Sequence, residues 1–410
     1  MKKILIISSG IHEKHGSGIT LHNLFCLIPP KQICMITNLE NAILSYEMGY
    51  ENIYVMGAMN GKIENFLKNK QNPIIDKKNP NRNIKQMSKK YLKKVRYFLI
   101  NHGLYYKFSS YKLNDDLRQW LGEQNPTSIY SVSLHIPLTI QIKKFLNIPI
   151  VLHIMDDWIS TEIKSGALAF YWKAKLNKQF QTLILESKVH LAISDKMAME
   201  YKNRYGVDWL VFHNPIKIDK WLPYQKKIYK TDCIFKIAFF GRKTSANSKI
   251  LDSLSDIFTE INNETPLEFH IYSQIEGETK NVTFYHSFVA HDLLPELIPQ
   301  FDLLVLPFIF ENYWMRYAKL SMPTKLTEFM ISGVPVYLLS PNDTAIYEFC
   351  KKNQCAFISD KLNEDEIRVN IQKIINDRIA RERIANKAKE VAVERFDLNK
   401  VSNKFIELFS

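Results

Sequence analysis

The stretch Ser321-Met322-Pro323-Thr324-Lys325-Leu326-Thr327-Glu328-Phe329-Met330-Ile331-Ser332-Gly333-Val334-Pro335-Val336 holds the residues best spaced for chemistry in this chain of 410 residues. Pro323 is placed to open a helix, and Gly333-Val334-Pro335 to end it and lead into a strand. Lys325 then falls in the first turn, where the helix dipole favours acids. A cation there makes sense if an anion sits against the helix N-terminus. Glu328, one turn on, could take hydroxyls from a sugar. A surface helix with ordinary charges reads these residue types about equally well.

A second candidate is His153-Ile154-Met155-Asp156-Asp157-Trp158, which closes an apolar run. Two adjacent acids at the C-terminal end of a strand repel each other and belong in a solvated or functional place. Asp156 or Asp157 could orient a hydroxyl or receive its proton, with His153 in support. The competing reading is a helix N-cap by Asp157 and a core histidine. His12 and His15 lie in a glycine-containing turn that is as readily a solvated loop. The five cysteines (Cys26, Cys34, Cys233, Cys350 and Cys355) form no Cys-x-x-Cys, so neither a disulfide framework nor a zinc site is expected.

The elements that must position these groups alternate along the chain. Lys3–Ser8 reads as a buried strand, Gly10–Gly18 as a turn and Ile19–Leu27 as a helix. Further strands are expected at 33–37, 53–56, 128–131, 148–155 and 190–194, with a long helix over 161–187. The pattern restarts with a strand at Phe235–Phe240 and a helix at 249–262. Strands at 267–272, 282–285, 301–307, 334–339 and 355–358 follow. Helices at 290–298, 324–331 and 344–352 lie between them, then a single helical stretch at 364–394 and a last amphipathic helix at 398–409. Continuous apolar strands alternating with helices indicate parallel sheets covered on both faces. The weakest join is Asn214–Thr231, which contains Pro215 and Pro223. Two doubly wound α/β domains are expected, with a seam near residue 225 and ligands at the C-terminal strand ends, in a cleft between facing domains.

Composition agrees with a globular protein: 46% of residues are apolar and 24% charged, which excludes disorder, collagen and coiled coil as the main architecture. No apolar run is long enough to span a bilayer, and Ile4–Ile7 is too short for a signal peptide, so a cytoplasmic protein is expected. The net charge is +13. Between Lys62 and Lys112 there are fourteen Lys or Arg and two acids, which gives +12 in that segment alone. Tyr91, Tyr97, Phe98, Tyr105, Tyr106, Phe108 and Tyr111 interleave it. An anionic membrane surface fits cations and aromatics better than nucleic acid does, since no nucleic-acid-binding motif accompanies them. A solvated lysine-rich face is the plain alternative.

The segment Pro-x-Lys-x-x-Glu-Phe-Met-x-x-Gly-x-Pro-Val resembles the nucleotide-binding segment of GT-B glycosyltransferases, especially glycosyltransferase family 4. The resemblance implies that Lys325 faces a diphosphate and Glu328 holds the ribose hydroxyls of a sugar nucleotide. Phe239-Phe240-Gly241-Arg242 is similar to the family's first C-terminal strand and loop, where a basic residue meets the phosphates. Arg242 takes that place, and Lys243 and Lys249 both qualify as the second cation. The stretch 282–288 followed by 301–307 resembles the path past the base, with main chain at Phe288 and Val289 against it. Ile193–Ala198 through Asn214-Pro215 is similar to the interdomain passage, and Gly16-Ser17-Gly18 to the N-terminal glycine loop. His153, Asp156 and Asp157 resemble the family's strand-end segment, with Met155 at its usual His position. Where many members have a second Glu, eight residues before the ribose-binding one, this chain has Leu320. Glu311 is the substitute candidate, with Asn312 and Tyr313 beside it.

The expected architecture is therefore α/β, GT-B, with an acceptor-binding domain at 1–222 that includes the basic aromatic segment 62–112. A nucleotide-sugar-binding domain at 223–394 follows, and a C-terminal helix at 395–410 packs back on the first domain. The resemblance implies transfer of a sugar from a nucleotide donor to a hydroxyl of a glycan or lipid-linked acceptor in bacterial surface polysaccharide synthesis, with retention of configuration. No Asp-x-Asp triplet occurs, so Arg242, Lys325 and helix N-termini are expected to stabilise the leaving diphosphate without a metal. No cofactor is expected, the nucleotide-sugar being a substrate, and the enzyme is expected to dock on the inner face of the cell membrane. A sugar-nucleotide epimerase of the same fold and a non-catalytic binder of anionic polymer are the rival readings.

Overall fold

A computed structural model describes residues 2–14, 16–56, 111–159, 169–229, 234–244, 246–274 and 281–409. The basic aromatic segment lies outside the described residues except for Tyr111 and Lys112. So does the start of the helix expected over 161–187, which is described from Ala169 to Glu186.

The first sheet has seven strands: β1 (Ile4–Ile7), β2 (Ile33–Thr37), β3 (Ile53–Val55), β4 (Ser128–Ser131), β5 (Ile150–Ile154), β6 (Val189–Ala192) and β7 (Leu210–Val211). Their order is β3-β2-β1-β4-β5-β6-β7. Ile4 pairs in parallel with both Ile33 and Ser128, so β1 and β4 are neighbours at the point where strand order reverses. Every residue of β1, β2, β4 and β5 is buried, so burial does not alternate along them, and β1 reads as an unbroken apolar run. Helices Leu39–Glu47, Asp115–Gln124, Ile136–Leu146 and Asp195–Tyr205, not anticipated from sequence, also belong to this half of the chain.

The second sheet has six strands, β8 (Phe235–Phe240), β9 (Leu267–Tyr272), β10 (Thr283–His286), β11 (Leu303–Pro307), β12 (Val336–Leu339) and β13 (Phe357–Ser359). They run parallel in the order β10-β9-β8-β11-β12-β13. Its reversal point lies between β8 and β11. One face packs on the Ser248–Ile261 helix through Leu251, Leu254, Ile257 and Phe258, the other on the Lys325–Ser332 helix through Leu326, Phe329 and Met330.

Two compact units result: Met1–Leu191 with Lys202–Leu210 and Ile406–Ser410, and Ala192–Tyr201 with Val211–Phe405. Residues 192–201 and 211–222, on the N-terminal side of the expected join, group with the second unit. The physical reason is local for the latter stretch. Ile216 bridges to Asp397, and Ile216, Ile218 and Trp221 are buried in the core of the second sheet. In the last helix, Leu398–Glu407, the ring of Phe405 packs 5.6 Å from that of Phe212 within the second unit. Phe409 packs in the first, with ring centroids 6.0 Å from Phe25 and 6.4 Å from Tyr130.

Two expectations need correction. The single helical stretch over 364–394 is two helices, Glu364–Asn376 and Arg378–Arg395, broken at Asp377 (φ −103°, ψ 82°), whose side chain accepts from Ala380 N and caps the second. Arg381, which with Asp365, Glu366 and Arg383 reads from sequence as a charge on a solvated helix face, is buried instead. It is 3% exposed, and its guanidinium donates to the carbonyls of Ile374, Ile375 and Tyr229. It thus satisfies the carbonyls left unbonded where the first helix ends.

Candidate functional site

In the C-terminal unit the loop after β8 is anchored by main chain. Gly241 N donates to Tyr272 O, Lys243 N to Ser273 Oγ, and Ser273 N to His286 O, so the ends of β8, β9 and β10 form one bonded edge. Gly241 has no room for a side chain on that side, since a Cβ would lie 2.7 Å from the Phe239 ring. Asn247 closes the loop, donating to Arg242 O and accepting from Thr244 N. Arg242 is thereby held at the strand end by its backbone while its guanidinium stays exposed.

The Lys325–Ser332 helix has no side-chain cap at Thr324. Asn214 Nδ2 and Thr327 Oγ1 both donate to the Thr324 carbonyl, which fixes the entry turn. The helix ends as expected at Gly333, in the left-handed region at φ 78°, where a Cβ would meet Lys226 O at 2.8 Å.

Four candidate groups differ in how their charge is used. Lys325 is half-buried; burial pulls its ammonium below the ordinary lysine range, Glu328 opposes this, and the nearby Arg242 guanidinium adds to it. Among the described residues neither Lys325 nor Arg242 makes a side-chain hydrogen bond or ion pair. Lys243 differs, because its ammonium bonds Asp252 at 2.6 Å and lies 5.5 Å from the centre of the Tyr285 ring. Lys249 is exposed on the first turn of the Ser248–Ile261 helix. The geometry thus distinguishes Lys243, already neutralised by an acid, from the cations that remain uncommitted.

Glu328 is 5% exposed and accepts a 2.6 Å hydrogen bond on Oε1 from His291 Nε2. Sequence reasoning missed His291. The only signal was its place three residues after Phe288, at the start of a segment expected to be helical. That segment is in fact a 3-10 turn, His291–Leu293, then the single turn Leu294–Leu297. Phe288 is exposed and Val289 half-buried between β10 and this turn. Three rings stack across the strand ends. Phe240 and Tyr272 are 4.5 Å apart and 4° from parallel, and Tyr272 and His286 are 4.4 Å apart and 15° from parallel. Leu320 is buried, with its carbonyl taken by Ser194 Oγ at 2.7 Å, so that position is committed to packing. Glu311 is exposed and immediately precedes the helix Asn312–Ala318, so Asn312 and Tyr313 are helical rather than in a loop.

The N-terminal candidates are positioned by the first sheet. His153, in β5, is fully buried and its Nδ1 lies 2.7 Å from the Tyr130 hydroxyl. His153 is thus held inside the strand layer beside Tyr130. Asp157 is 4% exposed and pairs with Arg204 Nη1 at 2.9 Å. Asp156 is exposed, so the structure separates the two acids that sequence left equivalent. Gly16, Ser17 and Gly18 lie in the first turn of the Gly16–Phe25 helix rather than in a turn before it. Gly18 is required by packing, because a Cβ there would lie 2.0 Å from the ring of buried His12. Ser8, Ser133 and His135, at the C-terminal ends of β1 and β4, are non-glycine residues in the left-handed region (φ 71°, 63° and 51°). Such strain collects at functional edges. Among the described residues no helix is long and apolar enough to cross a membrane.

No family model matches the chain, and a search among curated proteins finds no relative. Solved structures do match over the whole chain. A structure of HepE from Anabaena, in complex with UDP and glucose, aligns with a TM-score of 0.61 at 13% identity, covering 100% of this chain and 99% of that one. A glycosyltransferase from Rickettsia africae aligns at 0.64 and 11% identity, and sucrose-phosphate synthase from Thermosynechococcus elongatus at 0.65 and 10%, each covering 100% of this chain and 98% of the other. At such identities the likeness is one of fold, and that fold is GT-B, built from two Rossmann-like domains.

Proposed function

We propose that the chain is a nucleotide-sugar-dependent glycosyltransferase that moves a sugar to a hydroxyl of a glycan or lipid-linked acceptor. The observation that carries this reading is the pairing of Lys325 with Arg242. Two cations, one half-buried at an uncapped helix N-terminus, repel each other with no acid bonded to either among the described residues. A diphosphate would relieve both penalties at once, each charge-assisted hydrogen bond contributing about 1.5–3 kcal/mol net. Glu328, one turn on, is assigned to the ribose hydroxyls, and the main chain at Phe288 and Val289 to the base. HepE, a fold relative, has been crystallised with UDP and with UDP-glucose, which supports a donor of this class.

In this reading Arg242, Lys325 and the helix N-terminus take up the charge of the departing diphosphate, so no step is assigned to a metal ion. Lys243 keeps the loop in place through Asp252, and Lys249 and Glu311 are the remaining donor contacts. Gly16, Ser17 and Gly18, which resemble the family's glycine loop, are assigned to donor binding. Asp156, which is exposed, is assigned to the acceptor hydroxyl in preference to Asp157, which is buried against Arg204. Retention of configuration, a role in surface polysaccharide synthesis and docking of the Lys62–Lys112 segment on an anionic inner membrane surface complete the proposal. The test is incubation with UDP-, GDP-, dTDP- and ADP-sugars in chelator, following thermal stabilisation and nucleotide release. One stabilising donor, with release enhanced by a membrane glycolipid extract, is expected. Stabilisation by none would overturn the reading in favour of an anionic-polymer binder.

A further inference from the structure

His291 lies outside every role assigned above, yet it is the residue that touches Glu328. We propose that His291 is a positioning residue that orients the Glu328 carboxylate for a nucleotide ribose. This rests on the reading of Lys325 and Glu328 as a nucleotide site.

A carboxylate that is 5% exposed has little water to satisfy it and needs a protein donor. Its own helix does not supply one. Lys325, three residues earlier, forms no ion pair with Glu328 within the described residues, although the two charges influence each other. The donor comes from a different element, the turn that opens at His291, at 2.6 Å from Nε2 to Oε1. An ionised carboxylate only accepts, so Nε2 carries the proton in this bond. With Oε1 occupied by the imidazole, Oε2 keeps its lone pairs for ribose hydroxyls. The bond also ties the loop after β10, which carries exposed Phe288, to the Lys325–Ser332 helix. The base-side loop and the ribose-side acid are thereby held in one register.

Calorimetry on the full chain with UDP, GDP, dTDP and ADP, and with the 2′,3′-dideoxy form of whichever binds, tests this. His291→Ala is expected to weaken the ribonucleotide about tenfold and the dideoxynucleotide hardly at all. His291→Gln, which restores an N–H donor, is expected to recover most of the loss. On a Glu328→Ala background His291→Ala should add nothing, as for two residues acting through one contact. Equal losses for ribo and dideoxy forms, or an additive loss in the double variant, would overturn the positioning role. So would unchanged affinity in His291→Ala alongside weakened binding in Glu328→Ala, which leaves the nucleotide reading standing. Failure of the wild-type chain to bind any nucleotide would overturn both.

Discussion

The two Rossmann-like units treat charge at their strand ends in opposite ways. In the N-terminal unit charge is spent internally: Asp157 is bonded to Arg204, and His153 is buried against Tyr130. In the C-terminal unit Arg242 disfavours the charge on Lys325, and no acid is bonded to either among the described residues. The same topology therefore serves two ends. One strand end pairs its own groups, and the other holds two cations with no bonded acid among the described residues. An incomplete site costs stability in the free protein and gains it back on binding.

The sharpest way to break that comparison is Lys325→Gln. It should lower nucleotide-sugar turnover by about two orders of magnitude while leaving the melting temperature unchanged or raised, since it removes an unpaired, desolvated cation. A drop in melting temperature comparable to that of a core variant would show that Lys325 is structural. Next in size is a pH effect that tests whether every buried polar group in the C-terminal unit serves ligand binding. Burial pushes His213 down to about 4, with Asp195 opposing and Arg395 reinforcing this. The unfolded chain takes up the proton first, near the ordinary histidine value of about 6.5. Stability conferred by neutral His213 is thus complete above pH 6.5 and is lost as pH falls toward 4, by about 3 kcal/mol. Denaturant titrations across that window should show the loss, and His213→Phe should flatten it without altering donor affinity at pH 7.5.

Asp157→Asn should destabilise the chain by about 2 kcal/mol, below the range for a fully buried pair because Arg204 is partly exposed. Urea unfolding would check this, and donor binding should be unaffected. Asp156→Asn, its neighbour, should change stability by less than about 0.5 kcal/mol. Its effect should instead appear in turnover with acceptor present. If the two aspartates exchanged behaviour, the division between a buried structural acid and an exposed one would be wrong.

Much of the fold was readable from residue order. Apolar runs such as Ile4–Ile7 and 237–240 announced buried strands because a parallel strand covered on both faces has no polar side to interrupt it. Short amphipathic helices such as Leu39–Glu47 and Ile136–Leu146 went unanticipated, because their pattern is weak until a sheet supplies the face they cover. The break at Asp377 was invisible for a related reason: the carbonyls exposed by ending the helix are satisfied by Arg381, a residue whose sequence context is that of a charged surface.

At the site, sequence alone determined the residue types and their local spacing: Lys325 and Glu328 one turn apart, Arg242 at a strand end, Asp156 beside Asp157. Helical and strand geometry depends on nearest neighbours, so such spacings survive without any knowledge of the whole. Tertiary structure alone decided which charges were already paired. Asp252 on Lys243, Arg204 on Asp157, Tyr130 on His153 and His291 on Glu328 are partners from 9 to 47 positions away in the chain. A charge's availability depends on what lies within a few ångströms of it, and that distance is set by packing rather than by sequence separation.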